Sequence, residues 1–247
     1  MSVRERHRLL RITDSMQTCP MKQDCIMFLP DRISFQYIGH CSYKPALTVQ
    51  QDCWLQVLAT RSMGFVLGVE HSNVVTLGKR GSLTADVMFP ETQLSARDFE
   101  IVRTDRGGQA TIHTPGQLVI YPILPLREMG FTVSSYVQLL LSVSIEVLAA
   151  YGIAAKCGEN TGLYTENGKI CFVGIRVEKG VTRHGISLNI SNDLSLFQVI
   201  RPCGMSGARI DSVLKASGQN PGLSEVFELW QKIFLGRISM PSLVLSN

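Results

Sequence analysis

The stretch Arg106-Gly-Gly-Gln-Ala-Thr-Ile-His-Thr-Pro-Gly-Gln-Leu-Val-Ile-Tyr-Pro-Ile123 constrains this chain more than any other. Gly107 and Gly108 allow φ > 0 and let the backbone approach a ligand closely. Arg106 offers a planar guanidinium fork to anionic or amide groups. Gln109, Thr111 and His113 alternate, which places all three on one face of a strand. After the Pro115-Gly116 turn, Leu118 to Ile123 reads as an apolar strand. A polar wall beside a permissive backbone reads as a binding site. A tight hairpin with a solvated face fits the same stretch taken alone.

Other elements arrange themselves around it. Ile33–Ile38, Phe65–Glu70, Val74–Leu77 and Phe99–Thr104 read as strands. Ala46–Arg61 carries a helical stripe of Leu47, Trp54, Val57, Leu58 and Arg61, with Pro45 near its first turn and Gly64 at its end. Thr132–Tyr151 is the clearest helix, with Thr132 as N-cap and Gly152 as the left-handed residue after it. Its apolar face runs through Val133, Tyr136, Val137, Leu140, Leu141, Val147 and Leu148. Leu163–Thr165, Lys169–Val177 and Thr182–Ile190 follow as strands, turned at Asn167-Gly168 and Lys179-Gly180. Leu83–Ala96 is loop-like or loosely helical, and Asp193–Phe197 is loop or one helical turn. Ser224 caps a last helix to Leu235. Strands interleaved with two or three helices predict an α+β fold, a single mixed-sheet domain with packed helices rather than a regular βαβ series. The domain spans 32–236, with an N-terminal extension over 1–31 and a C-terminal tail over 237–247.

A chain of 247 residues is long enough to bury a core, and its 45% apolar and 18% charged residues are ordinary for a globular protein. The net charge of +4 favours an acidic partner but is too small to point to nucleic acid. No apolar run reaches the roughly 18 residues of a membrane span, because Gln138, Ser142, Ser144 and Glu146 interrupt the best candidate. The seven cysteines are odd in number and show no metal-type spacing, so reduced thiols in a cytoplasmic protein are expected, with no metal.

Two places could carry chemistry. Arg201-Pro-Cys-Gly204 holds Cys203 on a corner that Pro202 stiffens and Gly204 clears. A cysteine attacks as thiolate, so it needs a cation nearby to bring its pKa below about 8.5; Lys169 is a candidate. His184-Gly185 and His113 are candidate bases. A buried loop cysteine, a solvated turn lysine and a structural strand histidine fit the same residues. The basic loop Gly78-Lys-Arg-Gly81 is short enough to be a plain turn.

Several segments stand in a fixed order and spacing between about Phe35 and Gly204: Glu70-His71 with Thr76-Leu-Gly-Lys-Arg-Gly81, Arg106-Gly-Gly-Gln-x-Thr-x-His113, Pro115-Gly-Gln117, Tyr121-Pro122 and Lys169-Ile-Cys-x-Val-Gly-Ile-Arg176. His184-Gly185, Leu188-Asn189, Asp193-Leu-Ser195, Phe197 and Pro202-Cys-Gly204 complete the set. In this order and spacing the chain resembles the octanoyltransferases of lipoate biosynthesis. The resemblance implies a fold like the catalytic domains of biotin and lipoate ligases. It implies transfer of an octanoyl group from octanoyl-acyl carrier protein to a lysine of lipoyl-domain proteins, such as dehydrogenase E2 subunits and the glycine-cleavage H protein. It implies Cys203 as acyl-thioester nucleophile and Lys169 as the residue that activates it. Substrate binding is implied at Arg106, Gly107, Gly108, Gln109, Ala110, Thr111, Ile112 and His113, at Phe172, Val173 and Gly174, and at Gly185, Ile186 and Ser187. No cofactor is implied. Thr114, Phe172 and Leu196 depart from the family's usual glycine, small residue and proline. An ATP-dependent ligase on the same fold, or an acyl-binding homologue without turnover, are the competing readings.

Overall fold

The computed structural model describes residues 30–158, 160–201 and 209–239. Strand β1 (Ile33–His40) leads through helix α1 (Tyr43–Thr60) to β2 (Gly64–Glu70), and the two strands pair in parallel. A parallel pair needs such a crossover, because a tight turn cannot return the chain in the same direction. β3 (Val74–Leu77), two short helices α2 (Leu83–Asp86) and α3 (Glu91–Ser95), β4 (Glu100–Arg103) and β5 (Ala110–His113) follow. Then come β6 (Gln117–Ile123), α4 (Val133–Ala150), β7 (Lys156–Cys157), β8 (Gly162–Tyr164), β9 (Lys169–Glu178) and β10 (Val181–Asn189). A 3-10 turn (Leu194–Val199), α5 (Val213–Ser217) and α6 (Leu223–Ile238) complete the described chain.

The strands form a seven-stranded mixed sheet, β1-β2-β6-β10-β9-β8-β7, and a three-stranded one, β4-β3-β5. Alternation on β6 sorts the main core. Leu118 and Ile120 join the cluster built with α4 and α6, whereas Val119, Tyr121 and Ile123 join the cluster built with α1. The sheet is therefore sandwiched between α1 and the α4–α6 pair, an α+β layer arrangement. Trp230 of α6 stacks on Phe234 at 4.8 Å, and its Nε1 donates to Ser144 of α4. A second cluster gathers Val75, Leu77, Ile112, Phe197, Val199 and Ile200 under the small sheet. Phe172 of β9 is in it, so the main sheet enters the second core through that ring.

Thr132 caps α4 by a reciprocal pair of bonds with Ser135, as its sequence position suggests. Other boundaries differ from the sequence reading. α1 begins at Tyr43 and ends at Thr60, and the cap residue Arg61 takes the left-handed φ of 55° itself. Gly64 instead opens β2, where a Cβ would meet Leu124 Cδ2 at 2.6 Å. Gly222, not Ser224, sits at the N-cap of α6. Lys179 and Gly180, with φ of 50° and 77°, make the two-residue mirror-type turn between β9 and β10. Asn167 has no positive φ, and the loop it occupies is closed by the Thr165 N–H on the Gly168 carbonyl. Val133, expected in the core, is half exposed. α4 has 18 residues and a mean hydropathy of 1.6, so by length and composition alone it is apolar enough to cross a membrane, contrary to expectation. Its Leu139, Leu140, Val143, Val147 and Leu148 spend that apolarity on the core.

Trp230→Ala empties the α4–α6 contact and should lower the unfolding free energy by about 3–5 kcal/mol. Guanidinium denaturation followed by circular dichroism measures this.

Candidate functional site

The Arg106–Gln109 loop is tied down on all sides. The Arg106 side chain turns inward: Nε and Nη2 donate to Thr76 Oγ1 at 3.1 and 2.9 Å, Nη2 to the Thr76 carbonyl at 2.6 Å, and Nη1 to the Gly107 carbonyl at 2.9 Å. Gly78 makes room, since a Cβ there would meet Arg106 Nη1 at 2.8 Å. The fork that sequence reading offered to a ligand is therefore engaged with the loop's own scaffold. Gly107 N–H donates to Ile175 of β9. Lys79 and Arg80 N–H donate to the carbonyls of Arg106 and Gly108, so the basic glycine loop spends these amides on its neighbour. Asp105 accepts from His184 Nε2 at 2.7 Å and pairs with Arg183. The hydrogen bond from His184 is the main reason the Asp105 carboxyl is held down at about 2, and burial keeps His184 below its usual value. A neutral imidazole N–H on an ionised carboxylate satisfies both. His184 has a φ of 56°, a conformation few non-glycine residues adopt; its N–H is held by Gln50.

A corner of rings lies at the end of β5. Asn189 Nδ2 donates to the Asp211 carbonyl, which fixes that amide; Gln117 Nε2 then donates to Asn189 Oδ1. Gln117 Oε1 thus faces His113 Nδ1 at 2.7 Å as an acceptor. His113 is the Nδ1–H tautomer, with its Nε2 lone pair left on the other side of the ring. His71 Nδ1 donates to the Cys41 carbonyl, so its Nε2 accepts from the Tyr121 hydroxyl at 2.8 Å. Tyr43 stacks on His113 with an interplanar angle of 9°. Burial lowers His71 to about 4 and His113 to about 3, and raises Tyr43 to about 12. Thr114, where a glycine was expected, has no positive φ; Gly116, at +83°, makes the turn instead.

Lys169 opens β9 and is buried, at 3% exposure. Its Nζ donates to the Thr161 carbonyl at 3.1 Å and lies 4.9 Å from the Phe172 ring centroid and 5.3 Å from that of Tyr164. Gly162 leaves the slot open, since a Cβ there would sit 2.6 Å from Lys169 Cε. Cys203 lies outside the described residues. Both flanks of its segment are placed: Arg201 N–H bonds to the Asp86 carbonyl, and Lys169 exchanges backbone bonds with Arg209 and Asp211.

One cavity of about 400 Å³ brings together Lys169, Arg106, Gly107, Gly108, Gln109, Ala110, Thr111, His113, Phe172, Val173, Gly174, Gly185, Ile186 and Ser187. That volume is in the range of small-molecule sites. Ile112, adjacent in sequence, points into the second core with no exposure. Ile170, a candidate wall for an apolar chain, is also core. Sequence reasoning missed Tyr43, Val119, Val137, Asn160, Thr161 and Ile175 on the cavity wall. Val137 was read as pure helix core, and the position of Thr161 before β8 carries no local signal. None of the four described cysteines, Cys41, Cys53, Cys157 and Cys171, lines the cavity. Burial raises the Cys171 thiol to about 12. No group of three or more metal-ligating side chains occurs among the described residues.

Residues 42–235 match the model of the lipoyl protein ligase A/B catalytic domain. An octanoyltransferase of Chloroflexus aurantiacus is 38% identical over 204 residues, 79% of this chain and 89% of that one. One of Syntrophobacter fumaroxidans is 41% identical, covering 65% of this chain and 71% of its own. A mitochondrial octanoyltransferase of Arabidopsis thaliana is 33% identical, covering 74% and 79%. Among solved structures, a lipoate-protein ligase A bound with ATP superposes with TM-score 0.65 at 15% identity, covering 84% of this chain and 85% of that one. A biotin protein ligase of Aquifex aeolicus superposes with TM-score 0.50 at 13% identity, covering 84% and 71%. These structures share the fold.

His71 and His113 are neutral in the fold, while in the unfolded chain they titrate near 6.5. The unfolded state therefore binds more protons below that value. The stability they contribute is present above pH 6.5 and is lost as pH falls towards about 4 and then about 3. Urea midpoints should fall progressively across this window, and His113→Gln should flatten part of the slope.

Proposed function

We propose a specific reaction for this chain, which belongs to the lipoyl protein ligase A/B catalytic-domain family and, within it, to the octanoyltransferases. It is an acyltransferase of lipoate biosynthesis. In our reading the donor is octanoyl-acyl carrier protein and the acceptor is a lysine of a lipoyl domain, of the kind found in dehydrogenase E2 subunits and the glycine-cleavage H protein. The Cys203 thiolate attacks the thioester carbonyl. The carbon–sulfur bond to the carrier breaks, the carrier leaves as its thiolate and takes up a proton, and the octanoyl group rests on Cys203. The acceptor amine then attacks that thioester, an amide forms, and the Cys203 thiolate leaves. The amine's proton passes to Lys169, which acts between the steps as proton acceptor and donor. Thioester exchange is nearly balanced in energy and amide formation runs downhill, so neither step calls for a nucleotide.

The observation that carries this reading is the position of Lys169. A buried ammonium-bearing side chain opens onto a cavity of ligand size, and its own backbone pairs with Arg209 and Asp211, the flank of the segment that contains Cys203. The cavity also offers an apolar lining, from Val119, Val137, Val173, Ile175 and Ile186, suited to an eight-carbon chain. Arg80, exposed at the cavity wall, and the net charge of +4 suit an acidic carrier.

Incubation with octanoyl-carrier protein and an apo lipoyl domain, without ATP, should octanoylate the domain, as read by intact mass. A strict requirement for ATP would point to a ligase instead. Cys203→Ser should abolish transfer and the acyl-enzyme mass while the circular dichroism spectrum is unchanged. Lys169→Ala should lower kcat by at least about 10²-fold, the lower end of what a positioned proton-transfer group contributes.

A further inference from the structure

We infer that Phe172 and Tyr164 bracket the Lys169 ammonium between two aromatic faces, and that Phe172 is a positioning residue for Lys169 rather than only a wall of the acyl cavity. The inference rests on the octanoyl-transfer reading for its catalytic consequence. Its geometry stands alone: Nζ lies 4.9 Å from one ring centroid and 5.3 Å from the other. Both distances fall inside the roughly 6 Å over which a ring face attracts a cation.

A lysine carries several rotatable bonds on a flexible stem, so burial alone leaves its head undirected. Here the stem passes over Gly162, where even one added carbon would meet Cε at 2.6 Å. Among the described residues, the head meets the Thr161 carbonyl at 3.1 Å, Tyr164 and Phe172. The Phe172 ring is itself fixed. It is 7% exposed and stacks on Phe197 at 5.3 Å with an interplanar angle of 15°. Phe197 lies in the 3-10 turn (Leu194–Val199) that leads to Arg201 and the segment holding Cys203. Phe172 therefore joins two things the reaction must hold in register, the lysine head and the approach to the cysteine. A purely apolar residue of similar bulk would keep the packing and lose the face.

The test uses Phe172→Leu, Phe172→Met and Phe172→Tyr in the full chain, with Tyr164→Leu at the half-buried second ring as an independent variant. The aliphatic variants should lower kcat for transfer about tenfold, the scale of a desolvated cation–ring contact, with KM for the octanoyl donor within about twofold. Phe172→Tyr should restore kcat. In lysine-labelled protein, with Lys169→Arg as the assignment control, the ε-methylene protons of Lys169 should resonate upfield from ring shielding. They should move downfield in Phe172→Leu and in Tyr164→Leu but not in Phe172→Tyr. A rise in KM with kcat unchanged, or a Lys169 signal indifferent to both rings, would overturn the inference and leave Phe172 as an acyl-pocket wall. If Lys169→Ala or Cys203→Ser retained transfer, the octanoyl-transfer reading would fail instead, and the resonance shifts would still decide whether the bracket exists.

Discussion

The inward turn of the Arg106 guanidinium is what the site depends on. A buried, permanently charged fork is costly unless its donors are met. Thr76 meets it from a strand of the small sheet, and Gly107 meets it from within its own loop. Asp105 on one side is tied to β10 through His184, and Gly107 on the other to β9 through Ile175. The loop is thereby clamped between two sheets before any ligand arrives. That is the condition under which a binding wall costs little entropy to use.

The same logic runs through the histidine corner. The His113 tautomer is chosen not by the ring but by a relay of amides: the Asp211 carbonyl orients Asn189, Asn189 orients Gln117, and Gln117 sets His113. A polar network of this kind is stable because each member is satisfied in one arrangement and unsatisfied in the other. Its members come from β5, β6, β10 and the segment after residue 208, so the network also holds those elements in register.

Much of this was legible in the chain itself. Alternation marked β5, an apolar run marked β6, turn residues set off β9 and β10, and a threonine ahead of an apolar helix marked the start of α4. The glycine pair and the alternating Gln109, Thr111 and His113 marked the wall, and all three line the cavity. What local pattern does not contain is the direction of long side chains. Arg106 was read as facing a ligand because its partner, Thr76, is 30 residues away. Ile112 was grouped with its neighbours, although the alternation that puts Thr111 and His113 on the wall sends Ile112 into the second core. Val137 sits on a helix whose stripe reads as core, and Tyr43 lies ahead of the helix read over Ala46–Arg61; both line the cavity. Gly162 had no signal at all, because what matters there is an absent atom over a lysine seven positions on.

The anchoring of Arg201 on Asp86 and of Arg209 on the Lys169 backbone has a consequence for how this region can vary. The two posts, Asp86 at the end of α2 and Lys169 on β9, belong to different elements, so the number of residues between Arg201 and Arg209 acts as a gauge. Exchanging one side chain for another there leaves the posts where they are. Adding or dropping a residue alters the span itself, and the slack or tension would be delivered to the strand that carries the lysine. Beside the identity of Cys203, length is a property this part of the chain is obliged to keep.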